Sequence, residues 1–364
     1  MPSKLLHGID CLADVLRGRK KILLVCGRSY NHLDIKEVID RLEIPVVKFD
    51  QFTSNPFYED VCRGVSFFNR EGCDTILAVG GGSAIDVAKC IKLYCKMASD
   101  RSYLEQPYVD TGVNLIAIPT TAGSGSEMTR FAVIYYGGKK QSITHDSIVP
   151  NIVILEPGVL KKLPEYQKKC TMMDALCQGI ESWWSVNSTD ESKQYSTIAV
   201  DLILKYWQSY IFHNDEVAAE QIMLASNYAG RAINITQTTA PHAFSYKLTS
   251  SFGLPHGHAV AVCLPMIWSY MIDHYDRCLE KRGVAYLQQV FHDISASFGC
   301  DTPVEAIVKL QHMLQALQLM PPHSNNKEHD LHMLSESVNA ERLKNNPVRL
   351  DTSAIYSLYS EILK

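Results

Sequence analysis

The chain has 364 residues, of which 46% are hydrophobic and 20% are charged, and its formal net charge is −4. This length is enough for two domains, and the negative charge argues against bulk binding of nucleic acid or of a membrane surface. No apolar run reaches the roughly 18 residues of a spanning helix. The N-terminal segment MPSKLLHGIDCLADVLRG lacks the apolar core of a secretory signal. Eleven cysteines without a CxxC pair are typical of reduced thiols. We therefore expect a cytoplasmic protein with neither nucleic-acid nor membrane partners.

Short apolar runs alternate with helical periodicity over residues 1–150. The predicted strands are 21–26, 45–49, 74–79 and 113–118. The predicted helices between them are 34–42, 58–69 and 84–95. Strands that alternate with helices predict a parallel sheet with right-handed crossovers.

Long helical periodicity replaces this alternation after residue 157, with a looser stretch at 320–330. The predicted helices are 171–186, 191–212, 216–236, 259–275, 282–298 and 304–317. This change in periodicity predicts an α/β domain over residues 1–158 and an all-helical domain over residues 159–364.

Two glycine-rich segments follow predicted strands. GGGSAIDVAK (80–89) opens a helix, and PTTAGSGSE (119–127) follows the next strand. Glycines let the backbone approach an anion, and the exposed N–H groups at a helix N-terminus favour a phosphate. A single glycine cluster is often only a tight turn, but two loops at strand ends of one sheet predict a nucleotide crevice.

The residues after the first strand bear on the choice of nicotinamide cofactor. NAD-specific sites often place a carboxylate there for the ribose 2′-hydroxyl, whereas this chain has Gly27, Arg28 and Ser29. A missing carboxylate beside a guanidinium favours NADPH over NADH. The alternative is an arginine at the surface without any cofactor contact.

Three potential metal ligands stand in the helical half: Asp174, His242 and His256. Gln178 lies four residues after Asp174 and shares its helix face. A carboxylate with two imidazoles suits Zn²⁺ or Fe²⁺ and leaves an open position for a substrate oxygen. Each histidine could equally be an ordinary core or surface residue, and spacing alone does not decide this.

GGGSAIDVAK, PTTAGSGSE, the MDAL segment (173–176) and the PHG turn (255–257) resemble the iron-containing (group III) alcohol dehydrogenases. The motifs occur in the family's order over nearly the whole chain. The resemblance implies a Rossmann-like dinucleotide domain and a helical domain with a metal between them, an architecture shared with dehydroquinate synthase. It also implies reversible reduction of a small-molecule aldehyde by NAD(P)H, and a homodimer.

The resemblance assigns the metal ligands as Asp174, position 178, His242 and His256. Position 178 is a histidine in the family and a glutamine here. Three readings stay open: a metal site with Gln178 as fourth ligand or outer neighbour, a metal-free reductase, and an inactive paralogue. The resemblance also implies cofactor contacts, which are Gly27, Arg28, Ser29, Asn55, Gly80, Gly81, Gly82, Ser83, Asp86, Thr120, Thr121, Ser124, Lys140 and Leu160.

Candidate proton donors are Tyr246, four residues after the third ligand, and His258. DALCQGIESWWSVNST, HAFSYKLTSSFGLPHGHA and KNNPVRL most resemble the subgroup that converts phosphonoacetaldehyde into 2-hydroxyethylphosphonate. A phosphonate requires cations or hydroxyls, and the candidates are Arg130, Lys247, Ser250 and Arg349. Alternatives are another short aldehyde such as lactaldehyde, a sugar-phosphate cyclase, and a non-catalytic partner protein.

Overall fold

The computed structural model describes residues 3–338 and 340–364. The strands are β1 (Lys4–His7), β2 (Ile22–Cys26), β3 (Val46–Phe49), β4 (Thr75–Gly80), β5 (Asn114–Pro119), β6 (Phe131–Tyr136), β7 (Lys139–Thr144) and β8 (Ile152–Leu155). The helices are α1 (Leu12–Leu16), α2 (Ile35–Asp40), α3 (Tyr58–Glu71), α4 (Gly82–Tyr94), α5 (Glu165–Trp184), α6 (Asp190–Phe212), α7 (Glu216–Thr236), α8 (Ala240–Phe252), α9 (His256–Asp273), α10 (Val284–Ser297), α11 (Pro303–Ala316), α12 (Lys327–Ser337), α13 (Ala340–Leu343) and α14 (Thr352–Ile362).

Two compact units make up the chain. One comprises Met1–Leu163 with Asp215–Met223, and the other comprises Pro164–Asn214 with Leu224–Lys364. The predicted boundary after residue 158 falls in a 3₁₀ turn, Pro157–Leu160, a few residues before the first of these divisions. No helix among the described residues is both long and apolar enough to cross a membrane.

The first unit is built on a six-stranded parallel sheet in the order β1-β8-β5-β4-β2-β3. Every residue of β2 and β4 is buried, as expected for strands covered on both faces. α3 and α4 cover the sheet, and their apolar faces pack with Phe49, Ile76 and Leu115 in one core. The predicted α/β class with a parallel sheet is therefore confirmed.

Several elements of the first unit differ from the prediction. β1 is an edge strand of the sheet and β8 lies between it and β5; neither strand was predicted from the sequence. A separate antiparallel hairpin, β6–β7, turns at Gly137 and Gly138, which have φ angles of 56° and 74°. Two successive positive φ angles are those of the hairpin turn that matches strand twist.

The second unit consists of helices, as predicted, and the packing of α5, α8 and α9 places the site. α5 packs against both α6 and α9, and α8 packs against α9. Sequence periodicity did not predict α8, and it started α9 at residue 259 rather than at His256. Thr239 and Pro255 are the residues before α8 and α9, and Gly253 ends α8 with φ 69°. His242 is thus the third residue of α8.

Candidate active site

The strands that carry the two glycine-rich loops are neighbours in the sheet. Gly80 at the end of β4 pairs with Pro119 at the end of β5, and the Thr120 N–H donates to the Gly80 carbonyl at 3.0 Å. β2 lies on the other side of β4 and ends at the same edge, just before Gly27. After β2 the chain forms β3 on one side of β2 and then β4 on the opposite side, so the direction of winding reverses between β2 and β4. Open parallel sheets bind ligands at such a switch point.

Glycine is required for the close packing of these loops. A Cβ on Gly82 would lie 2.9 Å from the Ser124 Oγ, and one on Gly81 would lie 3.2 Å from the Thr121 Oγ1. Because α4 begins at Gly82, the N–H groups of Gly82 and Ser83 have no carbonyl of their own helix to bind, whereas the Ala84 N–H donates to the Gly81 carbonyl at 3.1 Å. The Ser83 hydroxyl donates to the Ser54 carbonyl, which places the segment containing Asn55 alongside. The loops thus offer amide donors to a phosphate.

Polar contacts beneath the loops join α4 to the hairpin. The Asp86 carboxylate accepts the Ser126 hydroxyl at 2.6 Å and the Val133 N–H at 2.9 Å. Lys89, fully buried, donates to the same Ser126 hydroxyl at 3.0 Å. Burial lowers the pKa of Lys89 to about 8, although nearby carboxylates oppose the shift. Lys140 lies close enough for its charge to act on Asp86.

The remaining predicted cofactor residues lie at two other places in the first unit. Arg28 and Ser29 are exposed in a 3₁₀ turn, Arg28–His32, directly after Gly27. Leu160 is fully buried in the turn that follows β8. The structure thus gathers most of the predicted cofactor residues at one sheet edge, whereas the Leu160 side chain belongs to the core.

Three potential ligands converge in the second unit. One ligand atom from each of Asp174, His242 and His256 lies within 4.8 Å of the other two. The Asp174 Oδ1 is 3.3 Å from the His242 Nε2 and 4.0 Å from the His256 Nε2. Gln178 follows Asp174 by one turn of α5, is buried, and its amide interacts with the Asp174 carboxylate. His256 is 38% exposed, so the group opens to solvent on its side.

A buried carboxylate that was not predicted from the sequence contacts one of these histidines. Glu181 on α5 is 0% exposed and accepts a hydrogen bond from the His242 Nδ1. The His242 Nε2 therefore faces the Asp174 Oδ1, and neither atom makes a hydrogen bond to any described residue. When the imidazole is neutral these two atoms are facing acceptors, which repel unless a positive charge, either a proton or a metal ion, lies between them. A carboxylate–histidine pair with a free Nε2 is the usual support of a metal-bound imidazole, so these residues fit a divalent cation.

The charges of the group point to the same conclusion. Burial disfavours the imidazolium, but the Glu181 and Asp174 carboxylates outweigh it and raise the pKa of His242 to about 10. Burial also favours the neutral acid at Asp174, yet His242, His256 and Gln178 together lower its pKa below the usual value. The pocket of negative charge that favours a proton on His242 would equally favour a metal ion.

The two predicted proton donors have different surroundings. The ring of Tyr246 is nearly parallel to that of His256, with the centroids 5.9 Å apart. Both ring nitrogens of His258 are engaged, Nδ1 by the Tyr166 hydroxyl at 2.9 Å and Nε2 by the Met320 carbonyl at 2.8 Å. Tyr246 thus lies beside the ligand group, whereas His258 joins α5 and α9 to the chain at Met320.

The candidate substrate residues make local contacts within their own units. Arg130 in the first unit contacts the Asp146 carboxylate at 3.3 Å. In the second unit, Lys247 is partly exposed, and exposed Arg349 donates its N–H to the Arg277 carbonyl. The Ser250 hydroxyl donates to the Lys247 carbonyl at 3.3 Å.

Family models match both halves of the chain. "Iron-containing alcohol dehydrogenase" matches residues 2–157, and "Fe-containing alcohol dehydrogenase family, C-terminal" matches residues 169–363. The chain belongs to the iron-containing alcohol dehydrogenase family. It is therefore an NAD(P)-dependent oxidoreductase that acts on an alcohol or an aldehyde.

Individual relatives agree with this assignment. The phosphonoacetaldehyde reductase of Streptomyces viridochromogenes is 32% identical over 79% of this chain and 76% of its own. The 1-propanol dehydrogenase PduQ of Salmonella typhimurium is 28% identical over 88% of this chain and 83% of its own.

Solved structures share the fold. An iron-containing alcohol dehydrogenase from Thermococcus thioreducens superposes with a TM-score of 0.90 at 22% identity, covering 100% of this chain and 98% of its own. A sulfoacetaldehyde reductase from Bifidobacterium kashiwanohense, in complex with NAD⁺, superposes with a TM-score of 0.88 at 24% identity, covering 99% and 97%. The predicted Rossmann-like and helical architecture is thereby confirmed.

Proposed function

We propose that this enzyme reduces phosphonoacetaldehyde to 2-hydroxyethylphosphonate, with NADPH as hydride donor and Fe²⁺ or Zn²⁺ at the group formed by Asp174, His242 and His256. The arrangement of Glu181, His242 and Asp174 carries the metal part of the proposal, because it leaves two unbonded ligand atoms facing each other. The similarity to the Streptomyces phosphonoacetaldehyde reductase supports the substrate.

Each unit contributes one part of the chemistry. Residues 1–158 form the dinucleotide domain, in which the loops at 80–83 and 119–124 bind the cofactor phosphates. Residues 159–364 form the metal and substrate domain, and the Gln178 amide oxygen is the fourth ligand. A bound divalent ion would polarise the aldehyde carbonyl. A neutral oxygen at position 178 donates less charge than an imidazole and is a harder ligand, which favours Fe²⁺ more than the family's histidine does.

The product alkoxide requires a proton, and Tyr246 is the better placed of the two candidates. Its ring lies beside His256, whereas both nitrogens of His258 already have partners. A tyrosine hydroxyl is neutral at ordinary pH and can donate without prior ionisation. We therefore assign proton donation to Tyr246 and a supporting role to His258.

Turnover with a series of short aldehydes tests the substrate. Loss of nicotinamide absorbance should be fastest with phosphonoacetaldehyde, with a kcat/KM about 10- to 100-fold above that for propionaldehyde, since a charge-assisted contact adds roughly 1.5–3 kcal/mol. Sulfoacetaldehyde, a monoanion, and lactaldehyde, which is neutral, show whether the rate depends on the two negative charges of the phosphonate. Equal rates with all four would refute a phosphonate site. Elemental analysis of the same protein reports the metal.

A carboxylate at position 27 should reverse the cofactor preference. A Cβ on Gly27 has open space around it, so an aspartate fits without repacking. Gly27→Asp should lower the ratio of kcat/KM for NADPH to that for NADH by about 10-fold or more, because the carboxylate binds a 2′-hydroxyl and repels a 2′-phosphate. Gly27→Asn is the matched control, with the same size and no charge. The same change in both variants would show that bulk, not charge, is responsible.

A further inference from the structure

The proposed chemistry leaves the role of Glu181 open. This carboxylate is fully buried on α5, seven residues after Asp174 and therefore on the same face of the helix. Its Oε1 accepts the His242 Nδ1–H. Its Oε2 accepts the Thr239 N–H at 2.7 Å and the Thr239 hydroxyl at 2.9 Å. None of these contacts is with a lysine or an arginine, so burial of the Glu181 carboxylate costs folding free energy. A functional role for this carboxylate would explain why it is buried.

We propose that Glu181 is a positioning residue for the metal site: it holds His242 as the tautomer with the proton on Nδ1, so that the Nε2 lone pair is available to the ion. This inference rests on the proposed function, because it concerns the same site. The histidine is the third residue of α8, and Thr239 precedes that helix. One carboxylate therefore binds the start of α8 and sets the orientation of the imidazole that α8 carries.

The contacts around Thr239 fix the direction of each hydrogen bond. The Trp184 Nε1–H donates to the Thr239 Oγ1 at 2.9 Å. An indole nitrogen can only donate, so the threonine hydroxyl accepts from it and directs its own proton to Glu181. The Thr239 N–H can also only donate. Both groups that reach the Glu181 Oε2 are thus donors, and only an oxygen satisfies that position.

The KNNPVRL segment supports the same turn from outside. The buried Asn345 donates its amide N–H to the Thr238 carbonyl at 3.0 Å, and Asn187 donates to the Asn345 Oδ1 at 3.0 Å. The Asn345 carbonyl also accepts the Val186 N–H. The first asparagine of this segment thus holds the residue next to Thr239. The structural role of Asn345 is therefore to hold the turn that leads into α8.

Glu181→Gln follows as a substitution that changes the proton position and little else. The amide has the size of the carboxylate, and its oxygen must face the two Thr239 donors. Its NH₂ then faces His242, so the Nδ1 must accept and the ring proton moves to Nε2. That proton occupies the position of the metal.

The test compares Zn²⁺ binding by the full-length wild-type, Glu181→Gln and Glu280→Gln proteins in competition with a chromophoric chelator. We expect the Kd of Glu181→Gln to rise about 10- to 100-fold, as for other outer-sphere partners of ligand histidines. Glu280 is the matched control, since it too is a buried glutamate, but its carboxylate is held by Arg282. Nitrogen-15 NMR of the Zn²⁺-loaded wild-type protein should show a protonated Nδ1 on His242.

The outcomes separate this proposal from the proposed function. Wild-type protein that binds no metal would refute both. Tight binding by the wild type, together with a Kd for Glu181→Gln within twofold of it, would refute only the role of Glu181. Equal losses in both glutamine variants would point to general loss of stability. Circular dichroism and the melting temperature of each metal-free protein establish that the variants are folded.

Discussion

His256→Ala removes bound metal and aldehyde reduction together while leaving the fold intact. His256 is the most exposed of the three converging residues, so its loss creates no sealed cavity. The remaining Asp174, Gln178 and His242 include only one imidazole, and the neutral Gln178 amide oxygen is a weak ligand, so the set is too weak for tight binding. Because Lewis-acid stabilisation is worth several kcal/mol, kcat/KM should fall by about 10³-fold or more. Elemental analysis and turnover on the same preparation measure both effects.

His274→Ala provides the comparison for loss of a histidine from the same region of chain. His274 follows α9, its ring stacks on that of Tyr270, and its Nδ1–H donates to the Tyr270 carbonyl at 2.8 Å. This variant should keep its metal and most of its activity. Turnover by His256→Ala at the wild-type rate after complete loss of metal would overturn the Lewis-acid account and revive the metal-free alternative.

We expect Gly257→Ala to destabilise the helical unit strongly. A Cβ at this position would lie 1.9 Å from the Cys170 carbonyl oxygen and 2.9 Å from the Asp174 Cβ. The carbonyl belongs to the α5 backbone and cannot rotate away, so α5 and α9 have to separate. We expect the free energy of unfolding to fall by about 3 kcal/mol or more. Asp174 would move with α5, and metal binding should weaken as well.

Gly179→Ala is the matched helical control. There the new Cβ would lie 3.1 Å from a methyl group of Val200, which can adjust, and alanine is the better helix former by about 1 kcal/mol. Urea unfolding at equilibrium should therefore give Gly179→Ala a stability near the wild type. A Gly257→Ala protein of equal stability would contradict the close packing of the two helices.

The two central strands β4 and β5 could be predicted from the sequence. β4 and β5 are continuous apolar runs bounded by turns, and their pattern was sufficient. β7 has the sequence KKQSIT and is largely exposed, so its residues carry little strand signal. Only the Gly137-Gly138 pair between two extended segments could have indicated the hairpin.

The ligand types could be predicted, but their convergence could not. Asp174 and Gln178 share one helix, whereas His242 and His256 reach Asp174 only because α8 and α9 pack together and Gly257 allows α9 to approach α5. Such packing depends on contacts between distant segments. Glu181 was not predicted as a site residue. It lies three residues after Gln178, which itself lies four residues after Asp174, and this spacing places all three on one face of a helix. That spacing was the available signal.

The division of the chain has a consequence for biosynthesis. The α/β unit includes Asp215–Met223, which the ribosome delivers only after all of α5 and α6. Within this late segment, Glu216 forms an ion pair with Lys161. The first unit therefore cannot be completed as a newly made N-terminal domain, although domains generally fold in the order of synthesis. A nascent chain stalled before residue 215 should be more open to protease within residues 1–163 than one released after residue 223.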